Sequence, residues 1–392
     1  MLKTNNTAPQ FVEAAGLLGR CSKVISHRSR CAALAWPPLV AIATGAIVAL
    51  SGCTSNPLVP FSTDTPPLAL LPAGQAGIVD KRARFREIYC AVLEAGGSAL
   101  PDTRPCEDAL SRVGTEPSAT GEPVELGMSR LHLVAVFVPG IGYDCFEPWL
   151  EPPGTVAEHV RKFGYDQVSL KVDALSSSEN NARQIRDALL AMPAETSPAR
   201  LVLIGYSKGA PDILTAVATY PEIRDRVAAV VSAAGAVGGS ALANDAEQYQ
   251  ADLMRHFPKA KCSSGDGGGV ASLRTTERRN WLAAHPLPGG LRYYSLATFP
   301  QPERVSSILK SSYRKLESID ARNDSQVIFY DQVIPGSALL GYVNADHWAM
   351  ALPIARTHPK VGSWFVTQSA YPREALVEAL LRFVEEDLGS KP

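Results

Sequence analysis

Apolar residues in this chain fall into short runs, separated by segments in which they recur every three or four positions. The runs His132–Val138 (HLVAVFV), Gln167–Val172, Leu201–Ile204, Val227–Ser232, Leu291–Ala297 and Leu339–Val343 have the length and make-up of buried strands. Val156–Phe163, Asn180–Ala191 and Ala210–Tyr220 lie between the first four of them with helical spacing, and Pro221 stops the last. Strand alternating with helix predicts an α/β domain with a mostly parallel sheet and helices on both faces. Pro372–Leu388 aligns Leu376, Ala379, Leu380, Phe383 and Val384 and reads as a closing amphipathic helix.

The same patterning divides the chain. Residues 131–392 read as the main domain, interrupted at about 238–290 by an insertion containing the glycine-rich Ser263–Gly269. An insertion of that length predicts a lid or cap, with the glycine run flexible. Upstream, Val79–Ala95 aligns Phe85, Ile88, Tyr89, Val92 and Leu93 until Gly96-Gly97 stops it, and Cys106–Val113 has the pattern of a further short helix. Residues 78–130 are therefore expected as a helical extension docked on the main domain.

Charge and composition exclude some partners. A formal net charge of −1 with 46% hydrophobic residues describes a large core and no bias toward nucleic acid. At the N-terminus, Lys3, Arg20, Lys23, Arg28 and Arg30 oppose the single acid Glu13, and the apolar stretch Ala32–Leu50 follows. That is the layout of a signal peptide. Leu50-Ser51-Gly52-Cys53 resembles a bacterial lipobox, which implies cleavage after residue 52 and a lipid on Cys53. The alternative is a single transmembrane helix, against which Pro37-Pro38 argue. Residues 53–77, rich in Pro, Ser, Thr and Ala, read as a tether. The expected location is the cell envelope, anchored to a bacterial membrane through the lipid.

Of the seven cysteines, Cys21 and Cys31 would leave with the leader and Cys53 would take lipid. Cys90, Cys106, Cys145 and Cys262 remain, an even number in a compartment that permits disulfides. Cys90 with Cys106 and Cys145 with Cys262 is the preferred pairing, because the first closes a short loop and the second ties a post-strand loop to the insertion. Four free thiols are the alternative. No Cys/His cluster has zinc spacing, and neither metal nor organic cofactor is expected.

Gly205-Tyr206-Ser207-Lys208-Gly209 directly follows the run Leu201–Ile204 and precedes a helix. A serine on so tight a strand-to-helix turn needs small flanking residues, and it faces the positive end of the helix, where a developing oxyanion is favoured. Serine alone is a poor nucleophile, so a base must take its proton. Of the seven histidines, His347 follows the last strand, where a hydrolase of chain order Ser, acid, His would deliver its base. The acid should stand between them: Asp324 is the first choice, Asp331 the alternative, and Asp346 a distant third, being adjacent to the histidine. Backbone N–H groups of Lys208 and of Ile141, in the Pro139-Gly140-Ile141-Gly142 loop, are the candidate oxyanion donors.

From about Leu131 onward the chain resembles the α/β-hydrolase superfamily, bacterial lipases and esterases in particular. Val138–Gly142 is similar to their oxyanion loop, Ser178–Ala182 to the segment opening their next helix, Gly205–Gly209 to their nucleophile elbow, Tyr293-Tyr294-Ser295 to a late strand, Asn323–Val327 to their acid motif and Asp346-His347 to their base. The resemblance favours Asp324 over Asp331. Two departures stand out: Pro139 replaces a histidine and Ser325 a glycine. It implies an α/β-hydrolase fold and a serine hydrolase acting on a small-molecule or lipid ester through an acyl-enzyme. The Lys208 side chain is expected to face solvent, the alternative being a positive charge beside the oxyanion. Thioesterase or acyltransferase activity, and a non-catalytic envelope lipoprotein that uses the fold for binding, are the alternatives.

Overall fold

The strand-forming runs pair into one sheet in the computed structural model, which describes residues 77–143, 155–173, 175–193, 201–245, 265–353, 356 and 370–389. These residues belong to the unit Ser62–Pro392. The expected signal segment, Cys53, Cys145, Cys262 and the middle of the insertion lie outside the described residues.

In chain order the described elements begin with β1 (Val79–Asp80), α1 (Arg82–Gly96), α2 (Cys106–Ala109), β2 (Leu110–Ser111), β3 (Val134–Val138), α3 (Thr155–Arg161) and β4 (Asp166–Ser169). They continue with α4 (Ser178–Ala191), β5 (Leu201–Tyr206), α5 (Gly209–Thr219), β6 (Val227–Ala233), α6 (Thr275–Ala284), β7 (Arg292–Thr298), α7 (Lys310–Glu317), β8 (Ala338–Val343), α8 (His347–Ala351) and α9 (Arg373–Gly389). The sheet order is β1-β8-β7-β6-β5-β3-β4, parallel throughout, with β2 added antiparallel to β8.

Alternate strand residues feed two cores, as the two-residue period of a strand requires. Ala135, Val202, Ile204 and Val231 pack with Phe85 and Tyr89 of α1 and Leu376, Leu380 and Phe383 of α9. Val136, Leu203 and Val230 face the other way, against Ile185 and Leu189 of α4 and Ile213, Leu214 and Val217 of α5. Helices therefore cover both faces.

Two expectations change. The N-terminal extension does more than dock a helix: it supplies β1 and β2, both paired with β8. Cys90 of α1 and Cys106 of α2 are joined by a disulfide, which ties α1 to the short helix just ahead of β2. In the glycine run, residues 265–269 are held rather than loose. The Asp266 carboxylate accepts from Ser177 N (2.7 Å), Gly268 N (2.9 Å) and the Ser177 hydroxyl, and Gly269 N donates to Leu175 O (2.8 Å) in the segment before α4. Ile141 of the loop after β3 packs against Ala243, Val270 and Leu273, so the described flanks of the insertion line that loop.

Candidate active site

Ser207 sits between β5 and α5 with φ +55°, left-handed for a non-glycine residue. The glycines around it leave no room for anything larger. A Cβ on Gly205 would come within 2.4 Å of Ala210 Cα, one on Gly209 within 2.1 Å of Val138 O, and one on Gly140 within 2.6 Å of Ser207 Cβ. Close approach of β5, α5 and the post-β3 loop thus presses Gly140 against the serine. Ser207 O accepts from Ala236 N (2.9 Å) and Ala210 N (3.2 Å), which pins the turn from the β6 side and from its own helix.

His347 opens α8, just past β8. Asp346 before it caps that helix, its Oδ1 accepting from Trp348 N (3.1 Å) and Ala349 N (2.9 Å), while Oδ2 accepts from Ser306 N (2.8 Å) and the Ser306 hydroxyl. Burial pushes the Asp346 carboxyl up, against the pull of those donors. The Tyr206 hydroxyl donates to His347 O (2.7 Å), and His347 N donates to Asp324 O (2.9 Å). The imidazole is thereby fixed at both ends: Nε2 lies 2.9 Å from Ser207 Oγ and Nδ1 2.7 Å from Asp324 Oδ2. A carboxylate beside Nδ1 selects the tautomer with the proton there, which leaves the Nε2 lone pair to accept the serine proton. All three side chains are buried, with Ser207 at 7% exposure the most accessible.

Asp324 Oδ1 accepts from Gln326 N (2.9 Å) and Val327 N (2.7 Å), a turn that needs Ser325 at φ +81°. The family resemblance put glycine at that position, and the left-handed backbone is the reason. Asp331 is not beside the imidazole. It pairs with Arg279 (3.6 Å), and burial pushes its carboxyl up to about 7. Asp346, the third choice, is occupied by its cap and by Ser306.

Lys208 corrects the reading of its side chain. Instead of reaching solvent it is 1% exposed, with Nζ 2.7 and 2.8 Å from the two oxygens of Asp212. Asn181 Nδ2 donates to the same carboxylate (2.8 Å), and burial depresses the Lys208 ammonium despite that partner. Arg278 of α6 is buried nearby, its guanidinium 4.6 Å from the Trp281 ring centroid. Sequence reasoning missed this cluster and also missed Gln332, whose Nε2 donates to Asp324 Oδ2 (3.2 Å). Among the described residues, no group of three His, Cys, Asp or Glu side chains is arranged to hold a metal ion, and no helix is long and apolar enough to cross a membrane.

A hydroxyl, an imidazole and a carboxylate in hydrogen-bonded series, with the hydroxyl at a helix N-terminus, can perform nucleophilic acyl transfer. The chain is 38% identical to a metagenomic carboxyl esterase of known structure, with 85% of this chain and 100% of that one covered and a TM-score of 0.77. A Bacillus licheniformis lipase in its mature form is 21% identical over 62% of this chain and 94% of that one, with a TM-score of 0.48. A Staphylococcus hyicus lipase is 12% identical over 69% and 100%, also with a TM-score of 0.48. No protein-family model and no curated protein matches the chain.

Proposed function

Because the chain belongs to the carboxyl esterases of the α/β-hydrolase fold, we propose that it hydrolyses its ester through an acyl-enzyme on Ser207, at the bacterial cell envelope. The observation that carries this reading is the position of His347, within hydrogen-bond reach of both Ser207 and Asp324. Ser207 Oγ attacks the ester carbonyl carbon as its proton passes to His347 Nε2. The tetrahedral oxyanion accepts from the N–H groups of Lys208 and Ile141. The alkoxide then leaves with the proton from Nε2, giving an alcohol and an acylated serine. Water repeats the sequence, releasing the acid and restoring the hydroxyl, while Asp324 stabilises each imidazolium.

A fluorophosphonate probe tests the chemistry. Wild type should be labelled at Ser207 and should cleave an ester panel of graded acyl length, and Ser207→Ala should do neither. Labelling of both forms alike would place the reactive serine elsewhere.

The envelope location rests on the lipobox-like Leu50–Cys53 and on the Cys90–Cys106 disulfide, which suits an oxidising compartment. In this reading residues 1–52 are removed, 53–77 tether, and Cys53 carries the membrane anchor. Metabolic labelling with an alkyne fatty acid should mark wild type but not Cys53→Ala, and unlabelled wild type in the soluble fraction would overturn the anchor.

A further inference from the structure

Gln332 closes the 3₁₀ turn Phe329–Gln332 and is wholly buried. Its side chain is gripped from the far side by β7: Thr298 N donates to Oε1 (2.6 Å), and Nε2 donates back to Thr298 O (2.9 Å). Its own carbonyl accepts from Ser232 Oγ of β6 (2.7 Å). With the amide so held, Nε2 is presented to the acid loop, where it meets Val327 O and Asp324 Oδ2, each at 3.2 Å.

The two oxygens of Asp324 are treated differently. Oδ1 is taken by backbone donors of its own turn, which fix where the carboxylate stands. Oδ2 faces the imidazole and has Gln332 as its second donor. Gln332 adds a donor from the β7 side to the bonds that hold the carboxyl plane, and without it more of the charge on Oδ2 would be directed at His347. A neutral amide suits that place, since a cation there would compete with the imidazolium for the carboxylate.

We propose that Gln332 is a positioning residue of this site, holding the Asp324 carboxylate in the plane that serves His347 and sharing the charge on Oδ2. The inference rests on the catalytic reading of Ser207, His347 and Asp324. Gln332 itself touches neither the nucleophile nor the base, so its effect on the reaction passes through the carboxylate.

Gln332→Met keeps the side-chain length and removes the donor. The expected result is a fall in kcat of about tenfold with KM within about twofold, as for loss of one member of a hydrogen-bonded network. The acid limb of kcat/KM should also move, because the carboxylate that stabilises the imidazolium loses a donor and part of what holds its plane. Near-wild-type kcat, or a lower rate with the acid limb unmoved, would assign Gln332 to the fold alone.

Should the variant fail to fold, the wild-type protein decides by NMR. The ¹⁵N-labelled side-chain amide of Gln332 should shift with pH at the midpoint of the acid limb, and a pH-independent amide would overturn the proposal. Failure of the catalytic reading would show separately, as activity retained in Ser207→Ala, whatever Gln332 does.

Discussion

Ser207 and Ser325 both occupy left-handed backbone, and the two positions call for opposite outcomes on substitution. At Ser207 the strained turn holds the hydroxyl against His347, so Ser207→Ala should cost several orders of magnitude in rate with the fold retained. At Ser325 the left-handed turn serves Asp324, but the buried side-chain hydroxyl has no hydrogen-bond partner, so glycine can hold the same turn without the strain. Ser325→Gly should stabilise the protein by about 1 kcal/mol, read as a higher Tm with unchanged kcat. The two acid candidates separate in the same way. Asp324→Asn should lower kcat by roughly 10³ to 10⁴, whereas Asp331→Asn should leave kcat nearly unchanged. Asp331 acts on stability instead. Its folded value of about 7 lies above the ordinary 3.8, so between those values the folded chain keeps a proton that the unfolded chain releases. Its contribution is complete below about pH 4 and is lost as pH rises toward 7. Asp331→Asn should therefore raise Tm at pH 8 and change it little at pH 4, and equal shifts at both would refute the assignment.

At the scale of elements, the buried Lys208–Asp212 pair joins the elbow to the first turn of α5, and Asn181 brings α4 onto the same carboxylate. Removing one partner leaves an uncompensated charge in the interior. Lys208→Met should destabilise the protein by about 3–5 kcal/mol, and the double variant Lys208→Met/Asp212→Leu should recover much of that loss. Urea melts of the two variants check it, and additive losses would mean that the charges do not act as a pair. The sequence reading placed this lysine in solvent because nothing local marks it as buried. Lys208 and Asp212 are four apart and could have been paired on helical spacing. That α4 and α6 close over them depends on residues 181 and 278, far along the chain.

The whole molecule adds the extension to the catalytic sheet. Through β2 it meets β8, and Asn344, three residues before His347, has N donating to Ala109 O (2.9 Å) and Nδ2 to Asp108 O (2.9 Å). The disulfide across a separation of 16 residues closes the loop that carries α2 into this contact. Replacing Cys90 and Cys106 together by serine should cost about 3 kcal/mol, since a loop of this length loses that much unfolded-state entropy on closure. Tm should fall while kcat at 25 °C stays near wild type, because neither cysteine reaches the site. Equal Tm values with and without reductant would remove the disulfide from the stability of the fold.

Strand-to-helix order, the elbow glycines and the place of His347 after the last strand were all legible in the sequence, because each is decided by residues within a few positions of one another. Asp324 was legible only as the better of two, since Asp324 and Asp331 share a loop and differ in what that loop packs against. Tertiary structure made that choice, turning Asp324 to the imidazole and Asp331 to Arg279. It also buried Lys208, set Gln332 behind the acid and drew β1 and β2 into the sheet. The physical reason is the same in each case: periodicity reports which face of an element is apolar, but the partner of a buried polar group is set by the surfaces that folding brings together.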